Sequence, residues 1–104
     1  MEAKKENNPM PTIIIAGAKF EIGRLYSTQG ARDVMQQFEL VTFLQQHAQG
    51  DWGNCCEEDW NRNDEALLYG GRILSVYFTQ GGEKIWLITE ADRSMTTFLL
   101  PSEY

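Results

Sequence analysis

Residues 72–99 read RILSVYFTQGGEKIWLITEADRSMTTFL, and this stretch decides the fold. Three runs of β-branched and aromatic residues are separated by two polar connections, which is the pattern of an antiparallel β-meander. The Gly81-Gly82 pair predicts a two-residue hairpin turn, because glycine adopts positive φ without steric cost. A turn of that length places Tyr77 opposite Trp86 in the neighbouring strand.

The second connection, through Ala91 to Ser94, places Leu87 opposite Phe98. Because strand side chains alternate, the two registers sort the residues into two faces. The face predicted to pack against the core carries Leu74, Val76, Phe78, Ile85, Leu87, Phe98 and Leu100. The other face carries Ile73, Ser75, Tyr77, Trp86, Ile88, Glu90, Thr97 and Leu99. This second face is too apolar for a solvated sheet, so we expect a homodimer or another cover over it.

The preceding sequence predicts one strand and the helices. Residues 19–26 (KFEIGRLY) alternate in polarity as a strand does, and residues 38–48 have apolar positions three and four apart, as an amphipathic helix does. A shorter helical turn is expected at residues 31–36. Asn54 and Glu57 have the spacing of a capping box for a second long helix, which the Gly70-Gly71 pair should end.

These elements predict a single α+β domain over residues 19–104. Its antiparallel sheet has four or five strands, with two or three helices packed on one face. Residues 1–11 are polar and contain two prolines, so residues 1–18 are expected to form a flexible arm. Residues 12–16 (TIIIA) could add an edge strand to the sheet.

Charge and hydropathy exclude several classes of function. The net charge is −6 and no Lys/Arg cluster is present, which argues against direct nucleic acid binding. The same charge leaves open an acidic protein that mimics nucleic acid. No apolar run is long enough for a membrane span and no signal peptide is visible, so a cytoplasmic protein with reduced Cys55 and Cys56 is expected.

The loop after the second strand of the meander is the first candidate site. Glu90, Asp92, Arg93 and Ser94 offer two carboxylates, a guanidinium and a hydroxyl, more hydrogen-bonding capacity than a connection needs. In one interpretation Arg93 bridges the two carboxylates and stiffens the turn. In the other it binds an anionic group, positioned by Glu90 and Thr96 and stacked on the neighbouring aromatic residues Trp86 or Tyr77.

Two further positions have both a structural and a functional interpretation. Trp52 is a core plug or a pocket wall, and Asp51 is a helix cap or a pocket residue. His47 is the sole histidine and the default general base, but it lies on an apolar helix face, where a histidine bonded within the core is commoner. No nucleophile elbow surrounds Ser94, and no metal-ligand spacing is present, so no metal or cofactor is expected.

Several motifs together carry a family resemblance. They are GDWG at 50–53, EED at 57–59, ALLYGGRILSVY at 66–77, KIWLITEADRSMTT at 84–97 and LLPSEY at 99–104. With these, residues 20–104 resemble the small bacterial "plasmid-related protein" family, also circulating as type I restriction endonuclease subunit M. The second name implies a DNA methyltransferase, yet the chain has neither a Gly-rich Rossmann turn nor an Asn/Asp-Pro-Pro-Tyr/Phe loop and is too short for that fold.

The resemblance implies an accessory protein of a mobile genetic element. We expect it to bind a host or defence-system protein, through the second sheet face and the loop of Glu90, Asp92, Arg93 and Ser94. One alternative is a small enzyme, or a protein that binds a nucleotide or anionic metabolite, with a pocket around Asp51, Trp52, Glu90, Asp92 and Arg93. The other alternative is the acidic nucleic-acid mimic.

Overall fold

A five-stranded mixed sheet and three helices make up the chain in a computed structural model that describes residues 7–9 and 15–104. The strands are β1 (Asn7–Pro9), β2 (Arg24–Thr28), β3 (Ile73–Phe78), β4 (Lys84–Thr89) and β5 (Met95–Leu99). The helices are α1 (Gln29–Val34), α2 (Gln37–Ala48) and α3 (Glu57–Tyr69), and a 3₁₀ turn spans Pro101–Glu103. The predicted α+β class is confirmed.

The strand order is β1-β2-β5-β4-β3. All neighbours are antiparallel except β2 and β5, which are parallel, so the sheet is mixed and not wholly antiparallel as predicted. The parallel pair arises because the helices and the β3–β4 hairpin lie between β2 and β5 in sequence and return the chain in the same direction. The edge strand β1 lies at Asn7–Pro9, within the segment predicted to be a flexible arm. Of the edge strand considered at residues 12–16, residues 15 and 16 are not in a strand, and residues 12–14 lie outside the described residues.

The predicted register between β3 and β4 is wrong by one residue. Tyr77 pairs with Ile85, and Trp86 pairs with Val76. The turn contains three residues instead of two: the backbone N–H of Thr79 donates to the carbonyl of Glu83, and only the last loop residue, Gly82, has a positive φ of 89°. A hairpin loop of three residues ends in this left-handed conformation, and it shifts the pairing by one position.

The one-residue shift moves every side chain of β3 to the opposite face. The inner face, which meets the helices, carries Ile73, Ser75, Tyr77, Ile85, Leu87, Thr89, Thr96 and Phe98. The outer face carries Leu74, Val76, Phe78, Lys84, Trp86, Ile88, Met95, Thr97 and Leu99. Strands β4 and β5 keep their predicted faces, because the predicted pairs of Leu87 with Phe98 and Trp86 with Leu99 are confirmed.

Two apolar clusters form the core on the inner side of the sheet. Leu40, Phe43 and Leu44 of α2 pack in one cluster with buried residues of β2 to β5. In the second cluster, Ala66 of α3 packs with Trp52 and with Ile73 of β3. The helices thus bury their apolar faces against the same side of the sheet, as predicted.

Three local predictions are corrected. The strand predicted at 19–26 begins only at Arg24, and residues 19–23 are irregular. The short helix α1 begins before the predicted range because the hydroxyl of Thr28 caps it by accepting from the N–H of Ala31. Helix α3 has Cys56 at its N-cap without a side-chain hydrogen bond, so the predicted capping box is wrong, but it ends before Gly70 as expected.

Candidate functional site

The polar loop between β4 and β5 is a self-contained turn. The N–H of Arg93 donates to the carbonyl of Glu90 at 2.9 Å, and Asp92 Oδ1 accepts from the N–H of Ser94 at 3.0 Å. Hydrogen bonds from the side chain and the N–H of Ser94 hold the pKa of Asp92 below its ordinary value. Both carboxylate-bearing residues therefore help to define the turn itself.

The guanidinium of Arg93 is directed inwards, to backbone carbonyls. Nη1 donates to Gly71 O at 2.6 Å and Glu90 O at 3.1 Å, and Nη2 donates to Ala66 O at 3.0 Å in the last turn of α3. Its carbon Cζ also lies 5.6 Å from the ring centroid of Phe20. No carboxylate of the described residues forms an ion pair with Arg93, so the expected bridge to Glu90 and Asp92 is not formed.

Arg93 is also the one non-glycine residue in the described ranges with a positive φ, 62°. A left-handed conformation is costly for a residue with a Cβ, and it persists only where surrounding contacts hold it. The carbonyls of Ala66, Gly71 and Glu90 provide those contacts. The residue therefore joins the end of α3, the segment before β3 and its own loop, and most of its donors are used within the chain.

Asp51 and Trp52 also have internal partners. Trp52 is fully buried, and its Nε1 donates to Asp64 Oδ1 of α3 at 2.9 Å. The carboxylate of Asp51 is exposed; it accepts from the N–H of Gly53 at 3.1 Å and from Gln46 Nε2 at 2.9 Å. Trp52 is thus a core plug, and Asp51 closes its own turn instead of capping α3.

Tyr77 was expected beside Trp86, but the shifted register places it on the inner face. Its ring stacks on Phe43 with centroids 4.8 Å apart, and its hydroxyl donates to the carbonyl of Asp51 at 2.6 Å. Burial raises the pKa of this hydroxyl. Tyr77 is therefore a core residue, and it does not stack beside the polar loop.

A chain of buried polar side chains crosses the inner face of the sheet. Ser75 Oγ lies 2.6 Å from His47 Nδ1, and His47 Nε2 lies 2.8 Å from Thr89 Oγ1. Thr89 Oγ1 lies 2.7 Å from Thr96 Oγ1, which donates to the carbonyl of Ile22 at 2.7 Å. The four side chains have no solvent exposure. They link α2 to three strands and to the irregular segment before β2.

The carbonyl of Ile22 fixes the direction of the hydrogen bonds that join Thr96, Thr89 and His47. A carbonyl oxygen only accepts, so Thr96 uses its hydrogen there and must accept from Thr89. Thr89 then accepts from Nε2–H of His47. Because burial keeps the imidazole neutral, Nδ1 carries no hydrogen and accepts from the hydroxyl of Ser75. His47 is therefore the neutral Nε2–H tautomer, with both nitrogens satisfied, and no proton is left to exchange with a substrate.

Burial lowers the pKa of His47 to about 3, and the charge of Arg93 acts in the same direction. The aromatic rings of Phe20 and Trp52 lie edge-on at centroid distances of 5.3 and 5.9 Å from the imidazole. Phe20 also lines an open cleft of about 530 Å³ formed by Ile15 and residues 18–23. The five residues expected to form a ligand pocket do not line this cleft.

The outer face of the sheet carries exposed apolar side chains. Phe78 is 46% exposed, Met95 is 37% exposed and Trp86 is half-buried. Tyr104 folds over Trp86 with ring centroids 5.5 Å apart, and it remains 68% exposed. Phe78 and Trp86 lie diagonally across the β3–β4 pair, whereas Met95 lies further along the same face, opposite Glu90. Phe78, Trp86 and Tyr104 are called the aromatic patch below.

Three cations lie on the same face of the sheet as the aromatic patch. Lys84 pairs with Phe78 in the sheet, and its Nζ lies 5.7 Å from the Phe78 ring centroid. Arg72 lies over the Tyr104 ring at 5.0 Å and donates to its hydroxyl. Arg24 is exposed and pairs with Met95. Two carboxylates lie near this face: Glu90 follows β4, and Glu103 accepts from Thr28 and from the N–H of Leu100.

The sequence did not identify Phe78, Met95, Lys84 or Tyr104 as surface candidates. The predicted two-residue turn places Phe78 on the core face. The available signal was the order Gln80-Gly81-Gly82, which also fits a three-residue loop with glycine at its left-handed last position. With that turn the alternation directs Phe78 outwards.

No family model, no curated protein sequence and no solved structure matches this chain. In the described residues, no group of three or more His, Cys, Asp or Glu side chains is placed to hold a metal ion. Within residues 7–9 and 15–104, no helix is both long enough and apolar enough to cross a membrane.

Proposed function

We propose that this protein is a non-enzymatic binding protein that docks a partner protein on the outer face of its sheet. The observation that carries the proposal is the exposure of Phe78, 46%, on a face against which the helices do not pack. Large apolar side chains grouped on one surface and rimmed by polar residues are typical of interaction sites. Trp86 and Tyr104 add the aromatic area from which binding hot spots are commonly built.

The internal use of the polar residues supports binding over catalysis. His47 is fully buried with both ring nitrogens bonded, and Arg93 donates to carbonyls of its own chain. A general base or an anion-binding arginine needs donors or acceptors that face a substrate. On the outer face, in contrast, Phe78 and Tyr104 keep 46% and 68% of their surface exposed.

The partner that we propose is a component of the bacterial host or of a competing defence system. Its support is the resemblance of residues 20–104 to a family associated with plasmids. The polar loop of Glu90, Asp92, Arg93 and Ser94 adjoins β4 and β5, so it would border the docked partner. In this proposal the loop positions the rim of the surface, and the aromatic patch supplies the contact.

The test is an affinity purification of the tagged protein from the cells in which it occurs naturally. Phe78→Ser removes the most exposed aromatic residue of β3, and Phe38→Ser is its matched control. Phe38 has a similar exposure, 53%, but lies at the start of α2. We expect one protein to co-purify with the wild type and with Phe38→Ser, and to be lost with Phe78→Ser.

Circular dichroism of both variants should match the wild type, because neither side chain is in the core. Equal recovery of the same protein with Phe78→Ser would contradict the proposal. So would a native mass spectrum in which a small anionic molecule, and no protein, accompanies the chain, since that result favours the ligand-pocket alternative.

A further inference from the structure

Helix α3 presents a second surface without a partner in the described chain. It carries Glu57, Glu58, Asp59 and Glu65 against one cation, Arg62, which is a net charge of −3, whereas Asp64 is bonded to Trp52. Arg62 forms ion pairs with Glu58 and Asp59. The last turn then exposes two large apolar side chains, Leu68 at 76% and Tyr69 at 84%.

These features complement those of the outer face. The helix combines carboxylates with an apolar end, and the outer face combines an aromatic patch with the cations Lys84, Arg72 and Arg24. The lengths also agree. Helix α3 has 13 residues and is about 20 Å long, and the six-residue strands β3 and β4 span about 20 Å. A helix of this length covers one face of the hairpin.

We propose that a second copy of this chain docks its α3 on the outer face of the first. Leu68 and Tyr69 of one copy contact the aromatic patch of the other, and the α3 carboxylates lie near its cations. This inference rests on the outer face being the binding surface proposed above. Helix α3 of a second copy covers the outer face when no other partner is bound, so a partner protein competes with self-association.

Charge favours α3 of a second copy over two other occupants of the outer face, which are the outer face of another copy and a nucleic acid. A two-fold pairing of bare outer faces would bring Lys84, Arg72 and Arg24 of both copies together, with Glu90 and the already bonded Glu103 as the nearby carboxylates. A nucleic acid would meet a protein of net charge −6 whose cations on this face are few and separated. The acidic helix satisfies the cations and also supplies apolar contact.

The proposed contact joins two different surfaces, so it is heterologous and leaves one helix and one face free at the ends of a pair. Its electrostatic part is exposed, and salt should weaken it. Sedimentation velocity is therefore measured over a range of protein concentrations at low and high salt. We expect association that rises with concentration and decreases as salt is added.

Two variants each remove one side of the contact. Phe78→Ser damages the outer face and leaves α3 intact, whereas Leu68→Ser with Tyr69→Ser damages the helix end and leaves the outer face intact. Each variant alone should be a monomer, and an equimolar mixture should form a one-to-one dimer, because the mixture contains one intact copy of each surface. Phe38→Ser, the matched control, should associate as the wild type does.

A wild type that remains monomeric at every concentration overturns the inference. A mixture that stays monomeric also overturns it, as does self-association that survives in both variants. These results are distinguishable from failure of the proposed function. If the wild type is monomeric but Phe78→Ser still loses its co-purifying partner, the outer face binds a partner and only the self-association is wrong.

Discussion

The side-chain amide of Asn63 pairs with the backbone of Leu74 as a neighbouring strand would. Nδ2 donates to the Leu74 carbonyl at 2.8 Å, and Oδ1 accepts from the Leu74 N–H at 3.1 Å. Two residues further along β3, Trp52 and Asn54 continue this edge: the N–H of Val76 donates to Trp52 O, and the carbonyl of Val76 accepts from the N–H of Asn54. The edge of β3 is thus closed by α3 and the preceding loop, which limits pairing with other chains.

Asn63→Ala should destabilise the protein by about 1–3 kcal/mol, because it leaves the partly buried N–H of Leu74 unpaired and leaves its carbonyl only the weak S–H donor of Cys55. The free energy of unfolding in urea measures this loss, and amide exchange should show faster opening at Leu74. Asn61→Ala, two positions away and exposed, is the matched control and should change the stability little. Equal stability of the two variants would show that the Asn63 pairing contributes nothing.

Stability should fall as the pH is lowered below the ordinary histidine pKa of 6.5. The pKa of His47 in the fold is about 3, so the unfolded chain binds a proton that the folded chain does not in the interval between these values. The contribution of neutral His47 to the free energy of unfolding is therefore complete above pH 6.5. It decreases by up to about 1.4 kcal/mol for each pH unit below that value. Urea unfolding from pH 7 to pH 5 measures this slope.

The control for the pH dependence is His47→Gln, which removes the sole histidine of the chain. The slope between pH 6.5 and pH 5 should become shallower in this variant, although its stability at pH 7 is lower. In the wild type, ¹⁵N chemical shifts should show a protonated Nε2 and an unprotonated Nδ1. An unchanged slope, or the opposite tautomer, would contradict the ordered polar chain.

Arg93→Lys should lower stability by about 2 kcal/mol, since one ammonium group cannot reach the carbonyls of Ala66, Gly71 and Glu90 together. The matched control is Arg32→Lys, at an exposed position of α1, which should be neutral. Thermal unfolding of both variants measures the difference. If Arg93→Lys unfolds at the wild-type temperature while partner binding is lost, the arginine serves a ligand and not the fold.

Gly53→Ala should cost about 3–4 kcal/mol, from a left-handed φ of 73° and from a clash of the new Cβ with Val76 O and the Tyr77 ring. Gly82→Ala is the control that separates the two causes. Its φ of 89° is also left-handed, but a Cβ there meets nothing within 4 Å. We expect Gly82→Ala to cost only about 1 kcal/mol. Equal losses would show that packing at Gly53 is not tight.

Much of the fold was predictable from local pattern. The alternation in residues 72–99 identified the meander, and the apolar spacing identified α2. Helix α3 was expected to stop at the glycine pair, and it ends at Tyr69. The pairing of β4 with β5 was also correct, because a four-residue connection between Glu90 and Met95 admits one register. These features depend on residues close together in the chain.

The candidate site was less predictable, because its residues are far apart in sequence. Trp86 lies on the outer face as expected, but Tyr77 and Thr96 are buried on the inner one. Arg93 looked like a binding residue because its acceptors are backbone carbonyls of α3 and of the segment before β3. Every residue has a backbone carbonyl, whatever its side chain. The sequence therefore does not show which residues accept hydrogen bonds from Arg93.

The sequence by itself determined that β3 is a strand whose side chains point alternately to the two faces of the sheet. It did not determine which of the two sets of side chains faces the core. Leu74, Val76 and Phe78 are more apolar than Ile73, Ser75 and Tyr77, so hydropathy alone favours the face that in fact lies outside. The tertiary structure decided it: Tyr77 packs on Phe43, Ser75 bonds His47, and the three-residue turn sets the matching register. The physical reason is the two-residue period of a strand, in which one position of slip exchanges the faces.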